Sequence, residues 1–246
     1  LKQREKDLYG ILNGIDYNEW NPETDKLIPE NFSPGDMSGK KVCREKLQGH
    51  FKMPVREDVP LFGIISRLTV QKGFDLLEQA LPKLMGPGIQ LVILGTGEAK
   101  YHQMLKGLAQ KYPKALGLAL AFDNNLAHLI EAGSDFFLMP SHYEPCGLNQ
   151  MISMKYGTVP VVRATGGLDD SVVNFDPKSG RGSGFKFTDY KAEQLSATIR
   201  RAMDTFRQPK AMTRVVANAM EQDFSWNRSA KEYMALYEKL VKGTRK

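Results

Sequence analysis

Cysteine is scarce: Cys43 and Cys146 are the only two in 246 residues. A disulfide framework needs more, so a packed core must hold the fold, and a reducing, intracellular setting is expected. No run of about 18 apolar residues occurs, so no membrane-spanning helix is expected. Metal signatures are missing as well. His50, His102, His128 and His142 show no HExxH-like spacing, and there is no CxxC. No Asp-x-Asp pair is present to hold a divalent ion on a nucleotide sugar. A GxSxG elbow and a Walker lysine motif are also absent, which removes two common enzyme patterns.

What is present is an ordinary globular composition, 41% hydrophobic and 25% charged. The net charge is +6, but the basic residues are dispersed among acids. The densest cluster, Lys40 to Lys46, has no aromatic for base stacking, so no nucleic-acid partner is expected. A positive field would still help collect a small anionic substrate. Leu1 to Asp7 are mostly charged, unlike a signal peptide, and read as a chain entered part-way.

Residues 1–57 read as an irregular connecting segment with one surface helix over 39–50. Then an alternation begins. Residues 59–66, 89–94, 116–122, 136–139, 159–162 and 183–187 are short apolar runs expected as strands. Between the first five lie helical patterns over 73–85, 98–112, 125–132 and 151–157. In the first of these, Phe74, Leu77, Leu81 and Leu84 fall at helical spacing. Strands alternating with helices predict a doubly wound, Rossmann-like parallel α/β sheet with right-handed crossovers. From about residue 190 the chain reads as helical, broken near Pro209 and Asp223. The expected organisation is a connector (1–57), a nucleotide-binding domain (58–222) and a C-terminal helix (223–246).

Four loops follow strands and open helices, and each carries suggestive chemistry. Ser66 to Gly73 holds Arg67 and Lys72, five apart, whose heads can converge on a diphosphate. Spacing leaves the alternative of two exposed surface cations. Gly95-Thr96-Gly97-Glu98 lets backbone approach a ligand closely, or is a plain tight turn. The third loop, Ser141 to Gln150, places one carboxylate, Glu144, in a strand-to-helix turn. The N–H groups of Gly147, Leu148 and Asn149 behind it would face a phosphate. Arg163 to Leu168 could form a second anion cradle. Phe122 could offer a flat face to a base or fill the core. In a parallel sheet all these loops lie on one rim, where ligands bind.

These motifs carry a family resemblance over essentially the whole chain. Ser-Arg-Leu-Thr-x-Gln-Lys-Gly (66–73), Glu-Pro-Cys-Gly-Leu (144–148), Lys-Tyr-Gly-Thr-x-Pro (155–160) and Thr-Gly-Gly-Leu-x-Asp (165–170) resemble bacterial glycogen synthases and plant starch synthases. Gly-Ile-Leu-Asn-Gly-Ile-Asp (10–16) and Asp223-Phe224-Ser225-Trp226 are similar too. The resemblance implies a GT-B architecture, with this chain as the C-terminal, donor-binding half. It implies retaining transfer of glucose from ADP-glucose to the non-reducing end of an α-1,4-glucan, releasing ADP, with no cofactor and no metal.

Carried onto this sequence, Arg67, Lys72 and Glu144 are the catalytic set. Gly95, Gly97, Phe122, Cys146, Gly147, Leu148, Asn149, Thr165 and Gly166 make up the nucleotide and donor contacts, with Phe122 against adenine. The implied partner is an N-terminal GT-B domain, and the location is the bacterial cytoplasm or a plastid. Two departures stand out: the family's Lys-x-Gly-Gly-Leu loop is absent, and Asn149 stands where Thr is common in the bacterial enzymes. Ile152, where some relatives carry a second acid, argues for the starch and glycogen synthase branch. Two alternatives stay open: a nucleotide-binding fragment inactive alone, or a related GT-B enzyme using UDP-glucose.

Overall fold

The structure, a computed structural model, describes residues 2–244. Leu1 and the last two positions of the expected 223–246 segment lie outside the described residues. Six strands form one parallel sheet: β1 (Leu61–Ile65), β2 (Gln90–Leu94), β3 (Leu116–Ala119), β4 (Phe136–Met139), β5 (Val159–Arg163) and β6 (Phe185–Phe187). Their spatial order is β3-β2-β1-β4-β5-β6, the doubly wound arrangement. The strands are near-continuous apolar runs because both faces are covered.

Alternate residues feed two cores. Phe62, Ile64, Leu91, Ile93, Phe136 and Leu138 point to one side. There they meet α2 (Phe74–Leu84), α3 (Ala99–Lys111) and α7 (Ala192–Phe206). Leu61, Val92, Leu94 and Phe137 point to the other. That side carries α1 (Ser38–His50), α4 (Asn124–Gly133) and α5 (Asn149–Lys155). This is the period-2 alternation of a pleated strand, used on both faces at once.

The expected strands and helices appear with ends shifted by a few residues. The third strand stops at Ala119, three residues before Phe122. The helix after Glu144 begins at Asn149, two residues earlier than its apolar pattern suggests. Among the described residues the remaining α-helices are α6 (Gly167–Ser171), α8 (Pro209–Met220) and α9 (Trp226–Thr244).

One expectation needs correction. From Ile15 onward the segment 1–57 is more than a connector: Ile15, Ile28, Phe32, Cys43, Leu47 and Met53 are buried in the second core. Helix α1 is a surface helix, as expected, and lays its buried face against α4. The buried Arg44 pairs there with Asp135, just before β4. The two ends of the chain also meet. Ile15 N–H donates to Phe224 O at 2.8 Å, and Ser229 Oγ donates to Leu12 O at 2.8 Å.

Candidate active site

The strand order reverses between β1 and β4, so α2 and α5 leave the carboxyl rim toward opposite faces. A crevice must open where two such loops part, and it is the usual ligand position in this topology. A cavity of about 240 Å³ lies there, lined by Ser66, Arg67, Lys72, Ser141, Glu144 and Asn149 among others. The 66–73 loop therefore faces the 141–148 loop.

Within the cavity, Lys72 Nζ donates to Glu144 Oε2 at 2.5 Å. Their side chains are only 19% and 9% exposed. Ser141 Oγ, fully buried, donates to the same carboxylate oxygen at 3.3 Å. Glu144 is thus not an exposed loop acid. A charge this deep is costly unless paired, and the lysine supplies the pairing. Lys72 is likewise not a surface cation. Arg67 does lie exposed at the mouth, touching only Gln71 Oε1 at 3.4 Å among the described residues. The crevice thus holds one neutralised pair and, at its mouth, one exposed cation.

The N–H groups of Leu148 and Asn149 donate to no acceptor among the described residues. The Asn149 side chain is committed elsewhere, its Nδ2 donating to Ile65 O at 3.2 Å, which ties α5 to the end of β1. Gly147 adopts a left-handed φ of 72°.

The glycines of the second loop have a different reason than expected. A Cβ on Gly95 would stand 1.8 Å from Ser66 O, and one on Gly97 2.4 Å from Leu68 O. The backbone they let approach is the protein's own. Leu68 N–H donates to Thr96 O and Glu98 N–H to Leu68 O, both at 2.9 Å. Gly95 and Gly97 thus seat the loop that carries Arg67, and neither lines the cavity.

In the 163–168 loop, too, part of the backbone bonds to the protein itself. Gly167 N–H donates to Glu144 O at 3.1 Å, and Leu168 N–H donates to Thr165 O. Among the described residues, the N–H groups of Thr165 and Gly166 have no acceptor and are left for an anion. Gly166 has φ 49°, and a Cβ there would sit 2.2 Å from Glu144 O. The cradle is chiefly a support pressed beneath the Glu144 turn.

Phe122 is 95% exposed, which removes the core reading. It stands past the end of β3, two strands from β1, so roughly 10 Å along the rim by strand spacing. Cys146 faces away from the crevice. It lines a separate cavity of about 460 Å³ with Asn13, Asp170, Arg228 and Glu232. No cluster of three or more His, Cys, Asp or Glu suited to a metal ion occurs among the described residues.

Comparison with known proteins places this geometry. The model of the family described as glycosyl transferases group 1 matches residues 46–221. The chain belongs to this family. It is 50% identical over 238 residues to Glycogen synthase 1 of Geobacter sulfurreducens, covering 96% of this chain and 48% of that protein. It is 48% identical over 243 residues to a glycogen synthase of Pseudothermotoga lettingae, covering 98% and 50%. Among solved structures it is similar to the catalytic domain of starch synthase IV from Arabidopsis thaliana, bound to ADP and acarbose. That match has a TM-score of 0.90 and 35% identity over 98% of this chain and 50% of that one. The chain spans about half the length of the curated relatives it matches. Its fold is that of the C-terminal half of a GT-B glycosyltransferase.

In this glycosyltransferase half, three residues shape the site without having been assigned roles from sequence. Gln150, fully buried, donates to Cys146 O, Gly147 O and Ser171 Oγ, pinning the turn after Glu144. Arg163 at the end of β5 and Tyr190 beyond β6 bind the loops from the side. Burial, then its bond to Asp75, pushes the Tyr190 hydroxyl well above its usual range, so it remains a donor. Arg163 had a signal: it stands inside a singled-out motif, at the mouth of an apolar strand. Gln150 and Tyr190 had none, because their partners lie far away in sequence or on backbone.

Proposed function

We propose that this chain is the donor-binding half of a glycogen or starch synthase. It binds ADP-glucose and, with an N-terminal GT-B domain, transfers glucose with retention to the non-reducing end of an α-1,4-glucan. The observation that carries this reading is the buried Lys72–Glu144 pair in the switch-point crevice, with Arg67 at its mouth. The relatives' names and the ADP in the starch synthase structure support it.

Departure of ADP leaves a diphosphate and an electron-poor anomeric carbon. Fixed cations stabilise the first, and Arg67 with Lys72 supply them. A carboxylate stabilises the second, as in glycosidases, and Glu144 supplies it. In the resting site each charge masks the other. A diphosphate arriving at Lys72 shares its cation and leaves Glu144 available to the developing positive charge. Phe122 offers its exposed face to adenine at the far end of the rim. Gly147, Leu148 and Asn149 turn backbone N–H groups toward the phosphates. Gly95, Gly97, Thr165 and Gly166 serve by holding the loops. The protein acts in the cytoplasm and contacts neither nucleic acid nor membrane.

Nucleotide titration calorimetry of the 246-residue chain tests the reading. ADP should bind at least tenfold more tightly than UDP, about 1.4 kcal/mol, and equally well with Mg²⁺ or EDTA. Arg67 and Lys72, rather than a bridging ion, supply the positive charge. Preference for UDP would redirect the donor assignment, and loss of ADP binding on chelation would contradict the metal-free site.

A further inference from the structure

Two loops, one carrying Glu144 and one following β6, converge on one side chain outside the crevice. Arg163 Nε donates to Ser141 O at 2.9 Å, and Arg163 Nη2 donates to His142 O. Its Nη1 donates to Thr188 O at 3.3 Å. All three acceptors are carbonyls just beyond strand ends, where the sheet ladder no longer supplies donors. The guanidinium also lies 5.4 Å from the centre of the Tyr190 ring, within cation–π range. The His142 ring packs on the same tyrosine at 4.5 Å.

Tyr190 carries the connection across the crevice. Its hydroxyl donates to Asp75 in α2 and lies 3.3 Å from Val70 O, beside Lys72. His142 N–H donates to Gln71 O at 2.9 Å, and Gln71 Nε2 donates to Tyr143 O at 3.4 Å. The loop bearing Lys72 and the loop bearing Glu144 are thus stitched together behind the reacting groups. Arg163 grips Ser141 by its carbonyl, and Ser141 gives its hydroxyl to Glu144. No other cationic side chain among the described residues bonds to the carbonyls of Ser141 and His142.

We infer that Arg163, braced on Tyr190, is a positioning residue that sets the Glu144 carboxylate against Lys72 and the donor sugar. It touches neither directly: it acts on the Glu144 loop through the backbone of Ser141 and His142, and on the Lys72 loop through Tyr190. A planar five-donor fork can hold two neighbouring carbonyls and a third at the end of the adjacent strand, whereas an ammonium holds fewer in fixed directions. A carboxylate misplaced by about 1 Å loses much of its effect on a transition state. The inference rests on the donor-site reading above.

The test uses a full-length synthase carrying this chain as its C-terminal half, with variants R163M, R163K, Y190F, K72A, E144Q and R163M/E144Q. R163M should lower kcat by at least tenfold while ADP affinity stays within about threefold. R163K and Y190F should lie between R163M and the parent. The decisive readout is non-additivity. On an E144Q background, R163M should cost less than about twofold further, because its effect passes through the carboxylate already removed. A purely structural role would lower stability and multiply the two losses, and that result overturns the inference. A loss of ADP affinity by R163M as large as that of K72A would make Arg163 a phosphate ligand and overturn it too. If K72A and E144Q themselves leave binding and turnover untouched, the donor-site reading fails first. If they act as expected and R163M does not, only the positioning role fails.

Discussion

At the residue scale the site turns on charges that are paired before any ligand arrives. Glu144 neutralises Lys72, so removing each should do different things. Glu144→Gln, in a full-length enzyme, should lower kcat by about 10²-fold or more, because the lost interaction belongs to the transition state. Lys72→Ala should lower rate and donor affinity together, since phosphate meets that cation in both states. Steady-state kinetics of the two variants separate the roles. A second buried acid makes a different prediction. Burial pushes the Glu131 carboxyl well above its ordinary range, though nearby Lys40 opposes this, and its Oε2 has no partner among the described residues. The folded state then holds a proton that the unfolded chain releases. That stabilisation is complete at low pH and is lost as pH rises through the folded value. Glu131→Gln keeps the shape without the charge. Its urea midpoint, relative to the parent, should therefore be higher at pH 8 than at pH 5. An equal offset at both pH values would contradict this.

At the element scale the rim loops support one another more than they offer ligand contacts. Gly97 touches the backbone of Leu68, not the cavity. Gly97→Ala should therefore weaken ADP binding by displacing the loop that carries Arg67, although Gly97 itself meets no phosphate. Gly166→Ala combines a positive φ with a clash on Glu144 O. It should cost on the order of 1–3 kcal/mol in denaturant titration and lower turnover as well. The strands were legible in sequence because apolar runs such as Leu61–Ile65 and Gln90–Leu94 sit between helical patterns and turn residues. The rim position of Arg67, Lys72 and Glu144 followed from that alternation. The depth of Glu144 did not, because Lys72 lies 72 residues away and no local pattern encodes such a partner. The glycines misled for the same reason. A Gly-x-Gly after a strand signals close approach, but not what approaches. Ile15, Ile28 and Phe32 were missed as core because the glycines, prolines and asparagines around them leave no period to follow.

At the scale of the whole molecule, this half holds the proposed donor crevice on its rim and an exposed apolar stripe on α9, including Tyr233, Met234, Tyr237 and Val241. With no Lys-x-Gly-Gly-Leu loop in the sequence, the 246-residue chain should bind ADP yet incorporate no glucose into glucan in a radiolabel assay. Robust synthesis by the chain alone would contradict the division of labour proposed here. The crevice between β1 and β4 is proposed as the diphosphate site, with the Lys72–Glu144 pair opening to receive it. Calorimetric ADP titration of the parent chain, Lys72→Ala and Glu144→Gln tests it most directly. Lys72→Ala should weaken ADP by at least tenfold, whereas Glu144→Gln, by freeing the lysine, should leave it unchanged or bind a few-fold more tightly. Equal ADP affinity in the parent and Lys72→Ala would place the diphosphate elsewhere and contradict the account.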